Sequence, residues 1–277
     1  MKKLYAVIGE PVAHSMSPVM HNDLFQHNGI DAHYHAFAIK EENLKDAIKG
    51  FRAIAIDGFN VTVPHKVSIM PLLDRIDPLA KSIGAVNTVV NVNGELVGYN
   101  TDGSGFVQGL KTYLPSIVDK KVLIVGAGGA ARAIYFTLAH EGVMKVDITN
   151  RTVVKAVDLV KECPYEVNTS IWTLEEAEDK VGDYDIIIQT TSIGMSPKTE
   201  CKPLSLHNLS ENTFVSDIIY NPLETSFLKM AKKNGARIQN GIEMFVYQGA
   251  LAFEKWTGIM PDTNRMTKKV LNQLGGK

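Results

Sequence analysis

Short apolar runs alternate along the chain with segments in which apolar residues recur every three or four positions. The runs are typical of buried strands, and the second spacing is typical of helices that bury one face. Strands are predicted at YAVIG, AHYHAFAI, GFNVTVP, KVLIVGA, KVDITN, DYDIIIQTT, TFVSDII and ARIQN. Helical spacing is clear in NLKDAIKGFRAI and ETSFLKMAKKNG. This alternation predicts an α/β chain whose sheets are largely parallel.

A β-hairpin is predicted between AVNTVVNV and ELVGYNTD, which flank Asn93 and Gly94. This dipeptide favours a two-residue type I′ turn because both residues adopt positive φ at low cost. With the turn at these two residues, Asn87 pairs opposite Asn100, and Asp102 lies two residues further on. Asn87 and Asp102 therefore share one end of the predicted hairpin.

The length of 277 residues favours two domains over one. No shift in composition marks the junction, so we place it by topology between Gly103 and Gly109, after the hairpin and before a helix. Hydrophobic residues make up 45% of the chain and charged residues 21%, with a net charge of −1. This composition is typical of a soluble globular protein and gives no indication of a nucleic-acid or membrane-surface partner.

Targeting and metal-binding signals are not expected either. The apolar run in MKKLYAVIGEP is stopped by Glu10 and Pro11 before it reaches the length of a signal peptide, and no stretch approaches the roughly 20 apolar residues of a membrane helix. Cys163 and Cys201 match no metal or redox spacing, and the histidines form no metal-binding pair. We therefore expect reduced thiols, a cytoplasmic location and no metal.

The segment KKVLIVGAGGAARAIYFTLAHEG predicts a strand, a glycine turn and a helix, and Gly126, Gly128 and Ala131 have the G-x-G-x-x-A spacing of dinucleotide-binding turns. Gly126 permits the tight turn, Gly128 lets backbone amides approach a pyrophosphate, and Ala131 is small enough for close helix packing. The helix N-terminus adds donors and partial positive charge for that anion. The flanking strand and helix favour a dinucleotide site over a merely tight turn.

The following strand, KVDITNRT, distinguishes the two nicotinamide dinucleotides. An acidic residue at the end of this strand is typical of NAD sites, whereas an arginine accommodates the 2′-phosphate of NADP. Here the strand ends in Asn150, Arg151 and Thr152, whose amide, guanidinium and hydroxyl groups suit a phosphate. Asp147 comes three residues too early and is expected inside the strand. We therefore expect NADP.

Strand alternation in GFNVTVPHK predicts that Asn60, Thr62 and Pro64 share one face and that Val61 and Val63 share the other. Polar groups then meet near the carboxyl end of a strand, where open α/β sheets bind ligands. Asn60 and Thr62, taken alone, also fit an ordinary outward polar face, and Lys66 fits a surface lysine.

Lys66 and Asp102 are candidates for acid/base chemistry. A nicotinamide enzyme that reduces a ketone needs a group to protonate the alkoxide, and a lysine can do so where desolvation brings its pKa near the working pH. A neighbouring carboxylate holds such a lysine in place. Asp102 also fits the N-cap of a helix that starts near Gly103, so the residues alone leave the pairing open.

The motif HSMSP predicts a helix start, with Ser17 as N-cap and Pro18 at the first helical position. Such an N-terminus is also a carboxylate site, and the hydroxyls of Ser15 and Ser17 can reach one anion together. We expect Ser15 to affect ligand binding and Ser17 to affect both binding and stability.

Taken together, the ordered motifs resemble the shikimate dehydrogenase family across nearly the whole chain. The motifs are HSMSP, NVTVPHK, GAVNT, NTDG, GAGGAAR, NRT, TTSIGM, DIIYNPLET and EMFVYQGA. The resemblance implies reversible reduction of 3-dehydroshikimate to shikimate with NADPH, on the pathway to chorismate and the aromatic amino acids. It also implies a substrate-binding α/β domain of residues 1–103 and 240–277, a Rossmann-type NADP-binding domain of residues 104–239, and a substrate cleft between them.

The resemblance also implies the roles of individual residues. Lys66 would be the acid/base residue, paired with Asp102. Substrate contacts would come from Ser15, Ser17, Asn60, Thr62, Asn87, Asp102, Tyr220 and Gln248. Cofactor contacts would come from Gly126, Ala127, Gly128, Gly129, Ala130, Asn150, Arg151, Thr152, Lys155, Ile218 and Gly241. Where many members read NATS, this chain has QTTS at residues 189–192, and His65 receives no role.

Two other functions stay open from the residues. One is a quinate/shikimate dehydrogenase with broader substrate and NAD(P) use, against which the end of the KVDITNRT strand argues. The other is a nucleotide- or substrate-sensing module that kept the fold but lost the chemistry. Such a module is expected to lack the lysine or the aspartate, and both Lys66 and Asp102 are present. The sequence leaves the oligomeric state open.

Overall fold

The computed structural model describes residues 2–275, which form two compact units. The first unit combines the chain up to Thr101 with the chain from Val246 onward, and the second unit spans Asp102–Phe245. The second unit thus extends beyond the predicted residues 104–239 at both ends. Its later end reflects close packing, because a Cβ added at Gly241 would lie 2.0 Å from the carbonyl oxygen of Ile218.

The helices and strands follow one another in the order that the apolar pattern predicts, with short additional elements. The first unit begins with β1 (Lys3–Gly9), α1 (Ser17–His27), β2 (Ala32–Ala38), α2 (Leu44–Ala53), β3 (Gly58–Val61), β4 (Arg75–Ile76), α3 (Pro78–Ile83), β5 (Thr88–Val92) and β6 (Glu95–Tyr99). Short 3₁₀ helices span Glu41–Asn43 and Met70–Leu72.

The second unit contains α4 (Asp102–Lys111), β7 (Lys121–Val125), α5 (Gly129–His140), β8 (Lys145–Thr149), α6 (Val153–Lys161), β9 (Ile171–Trp172), α7 (Leu174–Lys180), a 3₁₀ helix (Val181–Asp183), β10 (Ile186–Gln189), β11 (Phe214–Asp217), α8 (Ser226–Lys233) and β12 (Arg237–Gln239). Helix α9 (Ile242–Thr257) starts in the second unit and ends in the first, where α10 (Thr263–Gln273) follows. Among the helices of residues 2–275, none combines the length and the apolar character needed to span a membrane.

The sheet of the first unit has the order β2-β1-β3-β5-β6-β4. β1 pairs in parallel with β2 and β3, whereas β5 is antiparallel to β3 and β6, so the sheet is mixed rather than largely parallel. The predicted turn is confirmed: Asn93 and Gly94 have φ values of 54° and 96°. The register pairs Thr88 with Tyr99, which places Asn87 opposite Asn100 as predicted.

The two faces of this sheet pack against different helices. On one face, Tyr5 of β1 stacks on Phe25 of α1 and approaches Trp256 of α9, with ring centroids 4.9 and 5.0 Å apart. The opposite face carries an apolar cluster that includes Ile8, Phe51 and residues of α2 and α3. Asn60 belongs to the first face because it lies two residues after Gly58, which is in register with Tyr5.

The sheet of the second unit is entirely parallel, with the order β12-β11-β10-β7-β8-β9. Numbered from β7, this is the 3-2-1-4-5-6 order of the Rossmann fold, and the chain reverses direction across the sheet between β7 and β10. The carboxyl ends of β7, β8 and β10 therefore lie along the edge where such sheets bind dinucleotides.

Candidate functional site

The start of α1 differs from the prediction in which residue caps it. The N-cap is Met16, whose conformation is helical and which makes no side-chain cap bond, while Ser17 is already helical and buried. The prediction that Ser17 is the N-cap is therefore wrong. Instead, the hydroxyl oxygen of half-buried Ser15 accepts a hydrogen bond of 3.3 Å from the backbone N–H of Ser17. The chain enters the helix one residue earlier than Pro18 indicates.

The predicted alternation beyond β3 is also wrong. Val61 is 2% exposed, but Val63 is 65% exposed, because β3 ends at Val61 and a turn begins at Val63. Thr62, between them, still donates its backbone N–H to the carbonyl of Ile8 at 2.9 Å. Asn60 is buried inside the strand, while Thr62 is half-buried just beyond its end.

The loop that carries Lys66 is tied to the sheet by its neighbour. His65 is fully buried, and its Nε2 donates to the carbonyl oxygen of Ile39 at 2.6 Å, since that oxygen can only accept. The carbonyl of Lys66 accepts the backbone N–H of Val86 at 2.8 Å, and the residue is half-buried. This bond joins residues that lie 26 positions apart in the chain, so no local sequence pattern predicts it.

Asn87 lies just before β5 in a buried set of amide and hydroxyl groups. Its side-chain oxygen accepts the backbone N–H of Thr101 at 2.7 Å, and its Nδ2 donates to the Thr101 hydroxyl at 3.0 Å. Thr88 and Asn60 contact the same groups, and all four residues are at most 7% exposed. The structure therefore brings Asn60 and Asn87 together.

The other predicted catalytic and substrate residues occupy separate elements. Asp102 is half-buried and is the first residue of α4 in the second unit. Tyr220 follows β11 in the same unit, where its ring lies 5.4 Å from that of Phe245 and burial raises the pKa of its phenol. Gln248 is half-buried on α9, within the first unit.

The glycine turn after β7 has the geometry that its spacing predicts. Gly126 has φ 120°, and a Cβ there would lie 2.5 Å from the hydroxyl of Thr190. Thr190, the first residue after β10, donates that hydroxyl to the carbonyl of Val125 at 2.8 Å. Glycine is therefore required at position 126 both for its conformation and for the close approach of the loop that follows β10.

The beginning of α5 is open to an anion. Gly128 is the N-cap and provides no side-chain bond, and the first turn holds no acidic residue. Gly128 and Gly129 are exposed, Ala127 and Ala130 are half-buried, and nothing lies within 4 Å of a Cβ built at either glycine. The backbone N–H groups of the first turn of α5 thus face no side-chain cap and can bind a pyrophosphate, which fits a dinucleotide.

The end of β8 provides groups for a second phosphate. Asn150 Nδ2 donates to the carbonyl of Thr152 at 2.8 Å and shapes the turn, while Arg151, Thr152 and Lys155 are exposed. Thr152 is the N-cap of α6 but makes no side-chain bond, and the first turn of α6 has no acidic residue. The side chains present here fit the 2′-phosphate of NADP.

Asp147 is buried inside β8, as predicted, and its carboxylate is occupied by neighbours. It accepts the backbone N–H of Ser170 at 2.6 Å and the hydroxyl of Tyr184 at 2.7 Å, and it pairs with Lys145 at 2.8 Å. Burial by itself raises the pKa of Asp147, but these hydrogen bonds outweigh it and hold the pKa below its ordinary value. This carboxylate therefore has a structural role inside the unit.

Two buried residues to which the sequence analysis gave no role shape the neighbouring loops. Gln189, in the departing QTTS segment, donates Nε2 to the carbonyls of Thr191 and Ile193 and accepts the N–H of Thr191. Asp217 ends β11 and accepts the N–H of Ile219 at 3.0 Å and the hydroxyl of Thr225 at 2.7 Å. The bonds of Asp217 fix the segment after β11, which carries half-buried Ile218 and packs closely against Gly241. Only their position at strand ends could have indicated them.

Metal chemistry has no candidate in the part of the chain that the structure describes, where no three histidine, cysteine or carboxylate groups come together. Cys163 is half-buried, Cys201 is exposed, and both are free thiols.

Comparison with known proteins assigns most of the chain. The family described as shikimate dehydrogenase substrate binding domain matches residues 7–89, shikimate / quinate 5-dehydrogenase matches residues 109–218, and shikimate 5'-dehydrogenase C-terminal domain matches residues 241–271. The chain is 59% identical to a shikimate dehydrogenase (NADP(+)) of Geobacillus sp. (strain WCH70) over 277 residues, which is 100% of both chains.

Solved structures agree. A shikimate 5-dehydrogenase from Listeria monocytogenes, in complex with shikimate and NAD, is similar with a TM-score of 0.93 and 36% identity, over 97% of this chain and 96% of that one. The enzyme from Thermus thermophilus, in complex with NADP(H) and shikimate, gives a TM-score of 0.88 and 36% identity, over 98% and 99%. Since these family models together match most of the chain and a relative that is 59% identical covers all of it, the chain belongs to the shikimate dehydrogenase family.

Proposed function

We propose that the chain catalyses the reversible, NADPH-dependent reduction of 3-dehydroshikimate to shikimate, a step toward chorismate and the aromatic amino acids. The observation that carries the proposal is the full-length relationship to NADP-dependent shikimate dehydrogenases, in a chain that keeps both Lys66 and Asp102. The protein is then an oxidoreductase that acts on a CH–OH group.

The second unit serves as the NADP-binding domain in this proposal. The uncapped start of α5 holds the pyrophosphate, with contacts from Gly126 to Ala130. Asn150, Arg151, Thr152 and Lys155 would hold the 2′-phosphate at the start of α6, and Ile218 and Gly241 would contribute further cofactor contacts. When bound, NADPH supplies the hydride.

The first unit serves as the substrate-binding domain in this proposal, and Asp102 and Tyr220 also contact the substrate. Lys66 gives a proton to the carbonyl oxygen of 3-dehydroshikimate as it becomes an alkoxide and takes it back in the reverse direction. Asp102 orients Lys66 and binds a ring hydroxyl. Ser15 and Ser17 bind the substrate carboxylate at the start of α1, and Thr62, Asn87 and Gln248 bind the hydroxyls.

The test is spectrophotometric. Purified protein mixed with shikimate and NADP should produce growing absorbance at the band of reduced nicotinamide, and 3-dehydroshikimate with NADPH should reverse it. The control is the Asp102→Asn variant, which keeps the shape of the side chain and should be slower by orders of magnitude. A flat trace from the unmodified protein would refute the proposal.

A broader quinate/shikimate dehydrogenase is a second candidate, because the family matched over residues 109–218 is described for both shikimate and quinate. The exposed Arg151 at the end of β8 favours NADP, and the carboxylate of Asp147, buried inside β8, is already bonded to Ser170 and Tyr184. Rates with shikimate and quinate, each with NAD and NADP, separate the two. A quinate rate equal to the shikimate rate would support the broader enzyme.

A cytoplasmic location and a small-molecule substrate as the sole ligand partner besides NADP complete the proposal. The free thiols of Cys163 and Cys201 support a reducing compartment. A sensing module would bind shikimate and NADP without turnover. Growing absorbance in the same assay would therefore refute a sensing module, and binding with a flat trace would support it.

A further inference from the structure

A buried phenol connects two strands that carry predicted substrate residues. Tyr34, on β2, reaches across β1 and donates its hydroxyl to Asn60 Oδ1 on β3 at 2.7 Å. Tyr34 is 1% exposed and Asn60 is 7% exposed. A hydrogen bond this short between two buried groups strongly constrains the orientation of the Asn60 amide, because neither group has water as an alternative partner.

The hydrogen bond between Tyr34 and Asn60 belongs to a series of bonds, and groups that can only accept fix the direction of each bond in it. Asn60 Nδ2 donates to the carbonyl oxygen of Asn87 at 3.1 Å and to the hydroxyl of Thr88 at 3.0 Å. If the amide were turned over, its oxygen would face the Asn87 carbonyl, and two acceptors would oppose each other. Asn60 Oδ1 therefore faces Tyr34, whose hydroxyl must be the donor. Both amide hydrogens of Asn60 are used inside the protein.

The series of hydrogen bonds continues from Asn60 through Thr88 to the side chain of Asn87. Thr88 accepts from Asn60 and donates its own hydroxyl to Asn87 Oδ1 at 3.1 Å, since an amide oxygen can only accept. The same oxygen accepts the N–H of Thr101 at 2.7 Å, and Asn87 Nδ2 donates to the Thr101 hydroxyl at 3.0 Å. The amide of Asn87 is thus held from two sides, by Thr101 directly and by the series of hydrogen bonds that begins at Tyr34 and reaches it through Thr88.

We infer that Tyr34 and Asn60 are positioning residues of the enzyme, which act on shikimate by orienting Asn87 without touching the substrate. The inference rests on the proposed function, and it gives Asn60 a role different from the substrate contact that the family resemblance implies. Cross-strand geometry supports it, because Asn60 and Thr88 are directly opposite in the β3–β5 pair.

The surroundings of Tyr34 support the same role. Burial raises the pKa of Tyr34 well above its ordinary value, and a hydrogen bond with Ser17 opposes that rise, so the phenol keeps its proton and can donate. The ring stacks on His21 of α1 at 4.6 Å with an interplanar angle of 20°. Phenylalanine at position 34 would keep this stacking and lose the hydroxyl together with its bonds to Asn60 and Ser17.

The first test is the Tyr34→Phe variant in steady-state kinetics. We expect the KM for shikimate to rise about tenfold, the size of effect that loss of one buried hydrogen bond produces. The kcat should change less than about threefold and the KM for NADP should not change, because Lys66 and the second unit are untouched. Asn60→Asp should raise the KM further, because a carboxylate cannot donate to the carbonyl of Asn87.

Tyr135→Phe is the matched control. Tyr135 is also fully buried, and its hydroxyl bonds Thr169 at 2.7 Å in the second unit. It should lose a similar amount of thermal stability while its KM for shikimate stays that of the unmodified protein. An equal rise of this KM in both variants would show a general structural effect and overturn the inference.

A double-mutant cycle provides the second test. In an Asn87→Ala background there is no amide to orient, so adding Tyr34→Phe should raise the KM for shikimate no further. Effects of the two substitutions that multiply independently would overturn the inference, as would an unchanged KM in Tyr34→Phe alone. An unmodified protein without shikimate activity would instead refute the proposed function, and the inference with it.

Discussion

The two units offer their ligand-binding groups in different ways. In the first, Asn60, Asn87 and their hydroxyl neighbours are buried side chains that hold one another in place. In the second, the groups available to a ligand are backbone N–H donors at the uncapped starts of α5 and α6, flanked by exposed side chains such as Arg151. Substitutions far from the ligand should therefore affect function in the first unit, whereas in the second unit the main-chain path should matter most.

The largest expected effect tests whether one side chain of the first unit carries the chemistry. Lys66→Ala should lower kcat by about 10²–10⁴-fold, the usual contribution of a general acid, and should change the KM for shikimate much less. Steady-state kinetics in both directions measure this. Lys45→Ala, an exposed lysine of α2, is the control and should behave as the unmodified protein. A large rise in KM at unchanged kcat would make Lys66 a binding residue.

Buried titratable groups should give the two units opposite responses to pH. Burial lowers the pKa of His21 in the first unit to about 3, and both of its ring nitrogens lack a hydrogen-bond partner. Burial also raises the pKa of Asp217 in the second unit to about 6, against the hydrogen bonds of Ile219 and Thr225. Between about pH 6.5 and 3 the unfolded chain binds a proton at His21 that the folded chain does not, so acid destabilises the first unit.

For Asp217 the sign is reversed. Between about pH 3.8 and 6 the folded chain keeps a proton that the unfolded chain has lost, so a rising pH lowers the free energy of unfolding. Each group contributes up to about 1.4 kcal/mol per pH unit, or about 3 kcal/mol over two units. Urea denaturation should show a steeper loss on acidification in Asp217→Asn and a shallower one in His21→Leu. Parallel curves for all three proteins would contradict this assignment.

A comparison of two glycines tests the importance of the main chain in the second unit. Gly126→Ala should lower the free energy of unfolding by about 1–3 kcal/mol, because of its φ of 120° and the contact with the Thr190 hydroxyl. Gly128→Ala meets no atom within 4 Å and should leave stability unchanged while it weakens NADP binding. Thermal unfolding and NADP titration measure the two effects. An unchanged free energy of unfolding in Gly126→Ala would show that neither the positive φ nor the contact with Thr190 requires glycine.

The smallest expected effect concerns an exposed side chain. Arg151→Ala should raise the KM for NADP about tenfold, as expected for one charge-assisted phosphate contact, and should leave the KM for NAD unchanged. Lys161→Ala, at the other end of α6 and also exposed, is the control. An equal rise for both cofactors would place Arg151 on a part of the dinucleotide that NAD shares.

The success of prediction from the sequence differs between the units for the same reason. The glycine spacing, the type I′ turn and the place of Asp147 inside β8 depend on neighbouring residues, and each is found as predicted. The same kind of local rule predicts Ser17 as a cap, and it fails because Ser15 makes the hydrogen bond instead. Local rules are most dependable where the backbone needs a conformation that few residues adopt, such as the positive φ of Gly94 and Gly126.

The bond between Tyr34 and Asn60 could not be predicted, because it depends on strand order. The two residues lie 26 positions apart and on strands that are separated by β1. No periodicity in the sequence encodes this strand order, and a buried tyrosine in a strand is common and indicates no special role. His65 and its bond to Ile39 escaped for the same reason. The residue roles at the substrate site therefore came from the family resemblance.

The position of Trp256 determines when the first unit can be completed during synthesis. Its indole N–H donates to the carbonyl of Val89 at 2.9 Å, and its ring fills the space beside Gly58, where a Cβ would lie 2.4 Å from the indole nitrogen. Phe253, Met266 and Val270 are buried in the same unit. All four side chains emerge from the ribosome after the entire second unit. The Rossmann sheet can therefore assemble on the nascent chain, while the substrate-binding sheet must wait for the C-terminal helices to be released.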